Sequence, residues 1–212
     1  MAEPDRQALL TMLTTEHFTL QGSRSTTVSE SSSRASLYMT AVSSALIATG
    51  FIAQVSQLGD AFDVFVLAVL PTVYALGLFT FVRLVESSVE DMLYGRAINR
   101  IRAYYLEHAG PEARWFVMKG YDDAYGVLAN MGLQPSRWQL YFTVSAMVAT
   151  VNSVIGGSAV AILVGRVLDS SLGVAVAVGL AAALVSFAAL RHWDRALHHR
   201  SAGVDEVLFP SP

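Results

Sequence analysis

The sequence predicts an all-α integral membrane protein with four transmembrane helices, arranged as two hairpins, and a cytoplasmic helical layer. Three observations predict this fold class. Of the 212 residues, 53% are hydrophobic and only 15% are charged, whereas soluble domains are about a quarter charged. The few charges are concentrated between four long apolar stretches. Short connections join these stretches in pairs, and a long polar segment separates the two pairs.

Four stretches without a charged residue are long enough for a transmembrane helix, which needs about 20 apolar residues. Because the bilayer core cannot hydrogen-bond to the backbone, each stretch must be helical to cross it. Helices of a soluble bundle would carry charges on their outer faces, so four buried core helices are the less favoured alternative. The stretches are residues 35–55, 64–82, 138–164 and 172–190.

The connections predict two hairpins, at residues 35–82 and 138–190. Only residues 56–63 and 165–171 separate the members of each pair, so each pair is predicted to be antiparallel. Trp138 opens the third stretch, at the interfacial depth that indole rings prefer.

Lysine and arginine predict the orientation, because they accumulate on the cytoplasmic side of a membrane. Of the 14 basic residues, 13 lie in the segments 1–34, 83–137 and 191–212. Only Arg166 lies in the connections on the opposite side. We therefore predict that both termini are cytoplasmic. Arginine outnumbers lysine 13 to 1, a composition typical of high-GC bacteria, so we expect a bacterial plasma membrane.

The segment 83–137 is predicted to form the cytoplasmic helical layer. Apolar residues recur at helical spacing over residues 83–108, so the second transmembrane helix should continue until Gly110 ends it. The aromatic-rich residues 111–131 predict one or two short helices, broken near Gly120. We expect these helices to lie against the membrane surface or under the bundle.

The terminal segments are predicted to be largely polar. Residues 6–21 have the apolar spacing of an amphipathic helix. Residues 23–36 are dense in serine and threonine, which fits either a polar helix leading into the first span or a flexible linker. The last residues, 201–212, are predicted to be disordered.

Small residues recur at every fourth position of the third span. Such a stripe lets two helix backbones approach closely, as in associating membrane helices. Two interpretations stay open: packing between the hairpins of one chain, or a subunit interface or pore lining. The first span has a similar stripe at Ala41, Ala45, Thr49 and Ala53, and the fourth at Gly173, Ala177 and Ala181. The candidate interface residues of the third span are Ser145, Ala149, Asn152, Ser153, Gly157, Ala161 and Gly165.

Two residues within the spans differ chemically from their neighbours. Asn152 is the most polar side chain deep in any span. A buried amide needs a partner, so we predict that it bonds a neighbouring helix rather than an ion or a substrate. Pro71 lacks an amide hydrogen and frees a backbone carbonyl, which makes it a candidate hinge.

An acidic cluster, Glu86, Glu90 and Asp91, follows the second span. We expect it to pair with Arg83 or with basic residues of neighbouring helices. An enzyme acting at the membrane surface would have to use Glu86, Glu90 or His108 as its acid or base, and no constellation of residues supports that reading.

The sequence predicts no catalytic site, no metal site and no cofactor. The spans contain no Asp, Glu, Lys, Arg or His, the groups on which proton relays and ion-coupled transporters depend. The chain has no cysteine, and no phosphate loop, dinucleotide motif or HExxH sequence is present. His192 and His199 lack the usual ligand spacing, so they fit a solvated tail better than a metal site.

The arrangement around the first span is similar to that of small bacterial multi-pass effectors associated with nucleotide-signalled phage defence. In both, a polar helix leads into a compact membrane hairpin, here through residues 30–36. The likeness is one of arrangement and not of motif, and we expect no nucleotide-sensing domain within these residues. The resemblance implies an effector that acts in the membrane.

These features favour a non-catalytic membrane protein that forms a homo-oligomer and presents its cytoplasmic helices to a protein partner. The alternative is an oligomeric channel or pore-forming effector lined by Ser145, Asn152 and Ser153, which would need several subunits around an axis. With a net charge of -3, the chain has no strongly basic face for nucleic acid. The expected partners are the lipid bilayer, further copies of the chain and a cytoplasmic protein.

Overall fold

The computed structural model describes residues 3–133, 143–202 and 206–212, and every regular element in these ranges is a helix. The elements are α1 (Glu3–Val55), α2 (Asp60–Ala109), a 3₁₀ helix (Gly110–Trp115), α3 (Ala124–Asn130), α4 (Val144–Val167) and α5 (Leu172–Ala202). Four of them, α1, α2, α4 and α5, are long and apolar enough to cross a membrane. The prediction of an all-α chain with four such helices is therefore confirmed.

The breaks after the second apolar stretch fall where the sequence predicts them. α2 ends at Ala109, and Gly110 follows with a positive φ of 52°, a conformation that glycine adopts without steric cost. Residues 116–123, which include Gly120, then separate the 3₁₀ helix from α3. The predicted helical continuation and the two short helices beyond it are confirmed.

α4 begins at Val144, later than the predicted residue 138. The side chain of Thr143 caps this start, because its Oγ1 accepts a 3.2 Å hydrogen bond from the amide of Ala146. Trp138 and the other residues of 134–142 lie outside the described residues, as do residues 203–205.

The residues rich in serine and threonine before the first apolar stretch are helical, within α1. Their hydroxyl groups bond back to the carbonyl oxygen four residues earlier, as Thr26 does to Gly22 at 3.0 Å and Ser36 to Ser32 at 2.9 Å. These bonds satisfy the hydroxyl groups without leaving the helix. Of the two interpretations of residues 23–36, the polar helix is therefore confirmed and the flexible linker is not.

The chain forms two compact units. The terminal unit comprises residues 1–30, 86–139 and 198–212, and the bundle unit comprises residues 31–85 and 140–197.

The bundle unit is apolar both in its core and on its outer faces. Large apolar side chains are exposed on every long helix: Ile47 of α1 is 74% exposed, Phe79 of α2 73% and Leu184 of α5 70%. A helix that is hydrophobic all round is typical of a membrane span or of a large protein core. The buried cluster consists of Ala35, Tyr38, Val42, Val66, Leu70, Val73, Phe81, Leu84, Val85, Val148, Ala149 and Ile155.

Arg166, near the end of α4, contacts the connection between α1 and α2. Between α1 and α2, Gln57 and Leu58 both have left-handed backbone conformations, with φ of 50° and 60°. Arg166 donates a 3.2 Å hydrogen bond from Nη2 to the carbonyl oxygen of Leu58, and its Nε lies 3.5 Å from Oδ1 of Asp63. The guanidinium therefore stabilises a turn that two non-glycine residues strain.

The terminal unit is held together by polar side chains. Arg24 of α1 and Asp91 of α2 form a bidentate ion pair, with Nε–Oδ1 at 2.7 Å and Nη2–Oδ2 at 3.1 Å. Bidentate pairs of this kind are among the stronger charge-assisted contacts. The predicted pairing of the acidic cluster with a basic residue of a neighbouring helix is confirmed for Asp91.

Asparagines connect α2 to the residues around α3. Asn99 donates a 2.7 Å hydrogen bond to the carbonyl oxygen of Tyr121, and its Oδ1 accepts one of 3.0 Å from Asn130. Asn130 also bonds both the amide and the carbonyl oxygen of Lys119, at 3.0 and 2.8 Å. Gly120 lies against Ala103, whose Cα would be 2.7 Å from any Cβ added there. The segment before α3 is thus bound tightly to α2.

Candidate functional site

The small-residue stripe of α4 lies partly against α5. A Cβ atom at Gly157 would lie 2.5 Å from the carbonyl oxygen of Gly179, and one at Gly179 would lie 2.6 Å from the Cβ of Ala161. Further along, a Cβ at Gly165 would be 3.4 Å from that of Ala175. The buried members of the stripe are Ser145, Ala149, Ser153 and Gly157. These contacts lie within one chain, and a subunit interface through the stripe stays a prediction.

α5 contacts α4 through a face that differs from the predicted stripe. The contacting residues are Ala175, Gly179 and Ala183, whereas Ala177 and Ala181 are exposed. Small residues occupy several faces of α5, so periodicity alone does not identify the one that packs. The stripe of Gly173, Ala177 and Ala181 therefore does not form the contact with α4, and its reading as a subunit interface stays a prediction.

The predicted amide Asn152 is fully buried where three helices meet. Its Oδ1 accepts a 3.1 Å hydrogen bond from the hydroxyl of Tyr38 on α1, and both residues are at most 1% exposed. On α2, Gly77 leaves the space for the pair, because a Cβ there would lie 2.1 Å from Asn152 Oδ1. Asn152 thus bonds a neighbouring helix, as expected of a buried amide. Its Nδ2 has no hydrogen-bond partner among the described residues.

A second polar set joins α2, α4 and α5. The hydroxyl groups of Tyr74 and Ser186 lie 2.9 Å apart, and that of Ser153 donates to Ser186 at 3.3 Å. The ring of Tyr74 lies against Gly156, where an added Cβ would be 2.6 Å away. Pro71 lies one turn before Tyr74 inside α2, which continues through it. The hinge at Pro71 stays a prediction.

In the terminal unit, two adjacent carboxylates hold residues 206–212. Asp122 Oδ1 accepts a 2.8 Å hydrogen bond from the amide of Phe209, and its Oδ2 accepts one of 3.1 Å from that of Leu208. Asp123 Oδ2 accepts from both the amide and the hydroxyl of Ser211, at 2.9 and 2.5 Å. In the opposite direction, the Asp122 amide donates to the carbonyl oxygen of Phe209 at 3.0 Å. We call this set of contacts the C-terminal clamp.

Arg100 completes the clamp and favours the charged form of Asp122. Its Nε lies 2.5 Å from Asp122 Oδ2, and its Nη2 bonds the carbonyl oxygen of Glu206. Burial by itself would raise the pKa of Asp122, but the bonds from Arg100 and from the Phe209 and Leu208 amides outweigh it and hold that pKa below its usual value. Burial would also raise the pKa of Asp123. The bonds from Ser211 outweigh this effect and lower that pKa.

The prediction that residues 201–212 are disordered is wrong for residues 206–212. Two signals in the sequence point to the clamp. Leu208 and Phe209 are apolar, which is unusual for a solvated tail. Asp123 precedes α3 and caps it, accepting a 2.6 Å hydrogen bond from the amide of Gly126. Neither signal identifies the partner, because the clamp joins residues 86 to 88 positions apart in the chain.

The terminal unit exposes four consecutive apolar residues. Trp115 is 70% exposed, Phe116 42%, Val117 92% and Met118 47%; we call them the apolar patch. The indole nitrogen of Trp115 donates a 2.5 Å hydrogen bond to Glu112, and the Arg114 guanidinium lies 5.1 Å from the ring centroid. The Trp115 ring is therefore held in a defined conformation, although the patch stays exposed among the described residues.

The residues considered for catalysis or metal binding are not brought together. Glu90 and His108 both lie on α2, where the helical rise separates them by about 27 Å. The ring of His108 stacks on Tyr104 at 3.9 Å, and its Nδ1 lies 2.8 Å from the Tyr104 carbonyl oxygen. Asp194, near His192, pairs with Arg191. Within the described residues, no three His, Asp or Glu side chains are arranged to hold a metal ion.

These observations define an all-helical protein with four apolar helices long enough to span a membrane and a separate polar unit that displays an apolar patch. The chain matches no protein-family model, and neither the curated proteins nor the solved structures include a significant match.

The fit between Gly77 and Asn152 predicts a strong coupling between the two positions. Gly77→Ala would place a methyl group 2.1 Å from Asn152 Oδ1, so we expect it to lower the free energy of unfolding by about 1–3 kcal/mol. In an Asn152→Ala background only the Tyr38 hydroxyl, 2.7 Å from the methyl group, still has to move, so the added cost should fall by more than half. Unfolding in mixed detergent micelles, followed by circular dichroism, measures both values.

Gly50→Ala is the matched control, because no atom lies within 4 Å of a Cβ at Gly50. In this helix it should raise stability slightly, by up to about 1 kcal/mol. If the losses in the free energy of unfolding caused by Gly77→Ala and Asn152→Ala simply add in the double variant, the predicted contact between the two positions is wrong.

The C-terminal clamp predicts that Asp122→Asn releases residues 206–212. A neutral amide side chain lacks the negative charge to which Arg100 and two backbone amides bond. Hydrogen exchange at the Leu208 and Phe209 amides should accelerate about tenfold or more. Because the pKa of Asp122 is lowered on folding, the clamp contributes stability above the ordinary carboxyl pKa of about 4 and loses it as the pH falls through the lowered value. Mass spectrometry of the C-terminal peptide reports both effects.

Glu107→Gln is the control for the clamp, since Glu107 is exposed on the same unit. Its exchange should equal that of the wild-type protein. Unchanged exchange at Leu208 and Phe209 in Asp122→Asn would show that other contacts hold the segment.

Proposed function

We propose that the chain is a non-catalytic multi-pass protein of the bacterial plasma membrane, which self-associates and presents its terminal unit to a cytoplasmic protein partner. The observation that carries this proposal is the apolar patch, residues 115–118. The patch is exposed on the terminal unit, whose segments are joined by ion pairs.

Membrane insertion as two hairpins is supported by the surface of the bundle unit. Outward side chains such as Ile47, Phe79 and Leu184 are at least 70% exposed, and water would solvate them poorly. In a bilayer the same side chains contact acyl chains. The buried polar groups of the unit, such as Tyr38 and Asn152, bond mainly to one another, which suits a solvent that offers no hydrogen bonds.

The cytoplasmic orientation of both termini is supported by charge. Thirteen of the 14 basic residues lie in the three segments assigned to the cytoplasm. The remaining one, Arg166, is within 3.5 Å of Asp63. Since this pairing neutralises the single cation of the opposite side, it does not oppose the proposed orientation.

Self-association is supported by a shallow groove between α4 and α5. The groove has a volume of about 240 Å³, and small residues form its floor, so a helix of a second copy could approach closely. Its rim residues Val154 and Leu180 are 59% and 62% exposed. The lining residues are Val154, Gly157, Ser158, Ala161, Val176, Gly179, Leu180 and Ala183.

The partner-presenting role is supported by the composition of the apolar patch. Tryptophan, phenylalanine and methionine are the residue types enriched at protein interfaces. Exposed apolar patches on soluble units usually mark contact sites. The hydrogen bond of Trp115 to Glu112 orders the ring in advance, which lowers the entropic cost of binding.

The alternative function, an oligomeric pore, receives less support from the same residues. A pore lined by Ser145, Asn152 and Ser153 would need these side chains to face water between subunits. They are 7%, 0% and 3% exposed within a single chain, and Asn152 and Ser153 each bond another helix of that chain. Their burial favours the non-conducting assembly.

The partner surface is tested by placing a photoreactive amino acid at Val117, which is 92% exposed. On illumination of cells we expect one discrete protein adduct, because the residue lies at the centre of the apolar patch. The adduct should disappear in a Trp115→Ser background, since the indole is the main anchor. Adduct masses and yields are read from affinity-purified protein.

The photoreactive group at Glu107 is the control, since this position is exposed on the same unit outside the patch. Adducts of the same mass at both positions, or adducts to lipid alone at Val117, would contradict a protein partner.

Self-association is tested separately by Ser158→Trp, in which a bulky side chain fills the groove. Native mass spectrometry from lipid nanodiscs should show an oligomer for the wild-type protein and a shift to monomer for the variant. Met147→Trp places the same ring on α4 at a position that is 45% exposed and outside the groove, so its oligomer should persist. A monomeric wild-type protein would overturn the proposed self-association while leaving the partner surface untouched.

A further inference from the structure

The terminal unit contains a cavity that neither the clamp nor the apolar patch explains. Its volume is about 410 Å³, within the range of about 300–1,000 Å³ that is usual for small-molecule sites. Four of its residues lie on α2 at positions i, i+3, i+4 and i+7, which is one helical face. The lining residues are Val89, Met92, Leu93, Arg96, Ala124, His198, His199 and Val207.

The chemistry of the lining is divided into an apolar part and a basic part. Val89, Met92, Leu93 and Val207 provide aliphatic surface, and the methionine can adapt to the shape of a flexible chain. Arg96, His198 and His199 provide nitrogen groups that carry or can take up positive charge. None of the eight lining residues is acidic.

Neighbouring groups hold the basic side chains in place. Arg96 is only 5% exposed, and its Nε donates a 2.8 Å hydrogen bond to the carbonyl oxygen of Asp122. His198 Nε2 lies 3.1 Å from the hydroxyl of Ser88. A buried guanidinium ordered in this way binds an anion at a low entropic cost.

The C-terminal clamp controls one wall of the cavity. Val207 lines it, and the next two residues, Leu208 and Phe209, are bound through their amides to Asp122. These bonds help to hold Val207 at the cavity. Occupancy of the cavity and closure of the clamp are therefore expected to support each other.

We propose that this cavity binds a single-chain anionic amphiphile, whose acyl chain contacts Val89, Leu93 and Val207 and whose head group faces Arg96, His198 and His199. A free fatty acid and a lysophospholipid both have this chemistry. An apolar occupant removes the aliphatic surface from water, and the nitrogen groups of Arg96, His198 and His199 favour a negative charge. The site is independent of the partner and of self-association.

The test uses the full chain in neutral phosphatidylcholine nanodiscs with a photoreactive, alkyne-tagged dodecanoate. Cross-links mapped by mass spectrometry should concentrate on peptides that contain Leu93 or Val207, beyond the background on the lipid-facing helices. Unlabelled dodecanoate or a dodecanoyl lysophosphatidate should compete, and the one that competes at the lower concentration identifies the source. Neutral dodecanol should compete about tenfold less well, because it lacks the charge that the basic wall recognises.

Leu93→Trp and His199→Glu are the two test variants, and Val28→Trp is the control. Leu93→Trp fills the cavity and should reduce labelling about tenfold, whereas Val28→Trp, at a 52% exposed position of the same unit, should not. His199→Glu changes an exposed side chain and leaves the packing intact, and it should weaken dodecanoate but not dodecanol. Labelling spread evenly over the chain, equal competition by dodecanol, or full labelling of both variants would overturn the proposal.

Discussion

Tyr38, Gly77 and Asn152 lie on three different helices of the bundle unit, and each requires the other two. The buried amide needs a hydrogen bond, the tyrosine hydroxyl donates it, and the missing side chain on α2 provides the space. An unpaired amide would cost about 1–3 kcal/mol, so α4 is restricted to the rotation that brings Asn152 to Tyr38. The same rotation turns Gly157 toward α5, where the two backbones touch. The polar contact of α1, α2 and α4 is therefore compatible with the close packing of α4 on α5.

The two units are stabilised by different means. In the bundle unit, small side chains allow close backbone contacts, and dispersion over many atoms accounts for most of the attraction. In the terminal unit, a few charged and amide side chains, such as Arg24, Asp91 and Asn99, each make two or more directed bonds. We therefore expect the bundle unit to be destabilised by polar substitutions. We expect the terminal unit to be destabilised by the removal of single polar side chains. Specific recognition is more easily built on the second kind of unit, because its groups are few and fixed.

More of the fold than of the candidate site follows from the sequence. Four uncharged stretches and the break at Gly110 follow from local composition, so the helices were found within a few residues. The capping of α4 by Thr143 does not follow from composition, because it depends on local backbone geometry. The face of α5 that packs on α4 does not follow from the sequence, because alanines occur on several of its sides and only the three-dimensional contact with Gly157 distinguishes them. The clamp was missed for a related reason, since Asp122 and Phe209 are distant in the chain and neither is unusual alone.

The C-terminal clamp also has a consequence for biosynthesis. Asp122 and Asp123 leave the ribosome before α4 and α5, whereas Leu208, Phe209 and Ser211 leave it after both. The carboxylates therefore stay solvated while the last two apolar helices are synthesised. Contacts with so large a separation in sequence form late. The terminal unit thus acquires its final form only once the complete set of apolar helices exists, and an unfinished chain would lack the closed cavity wall at Val207.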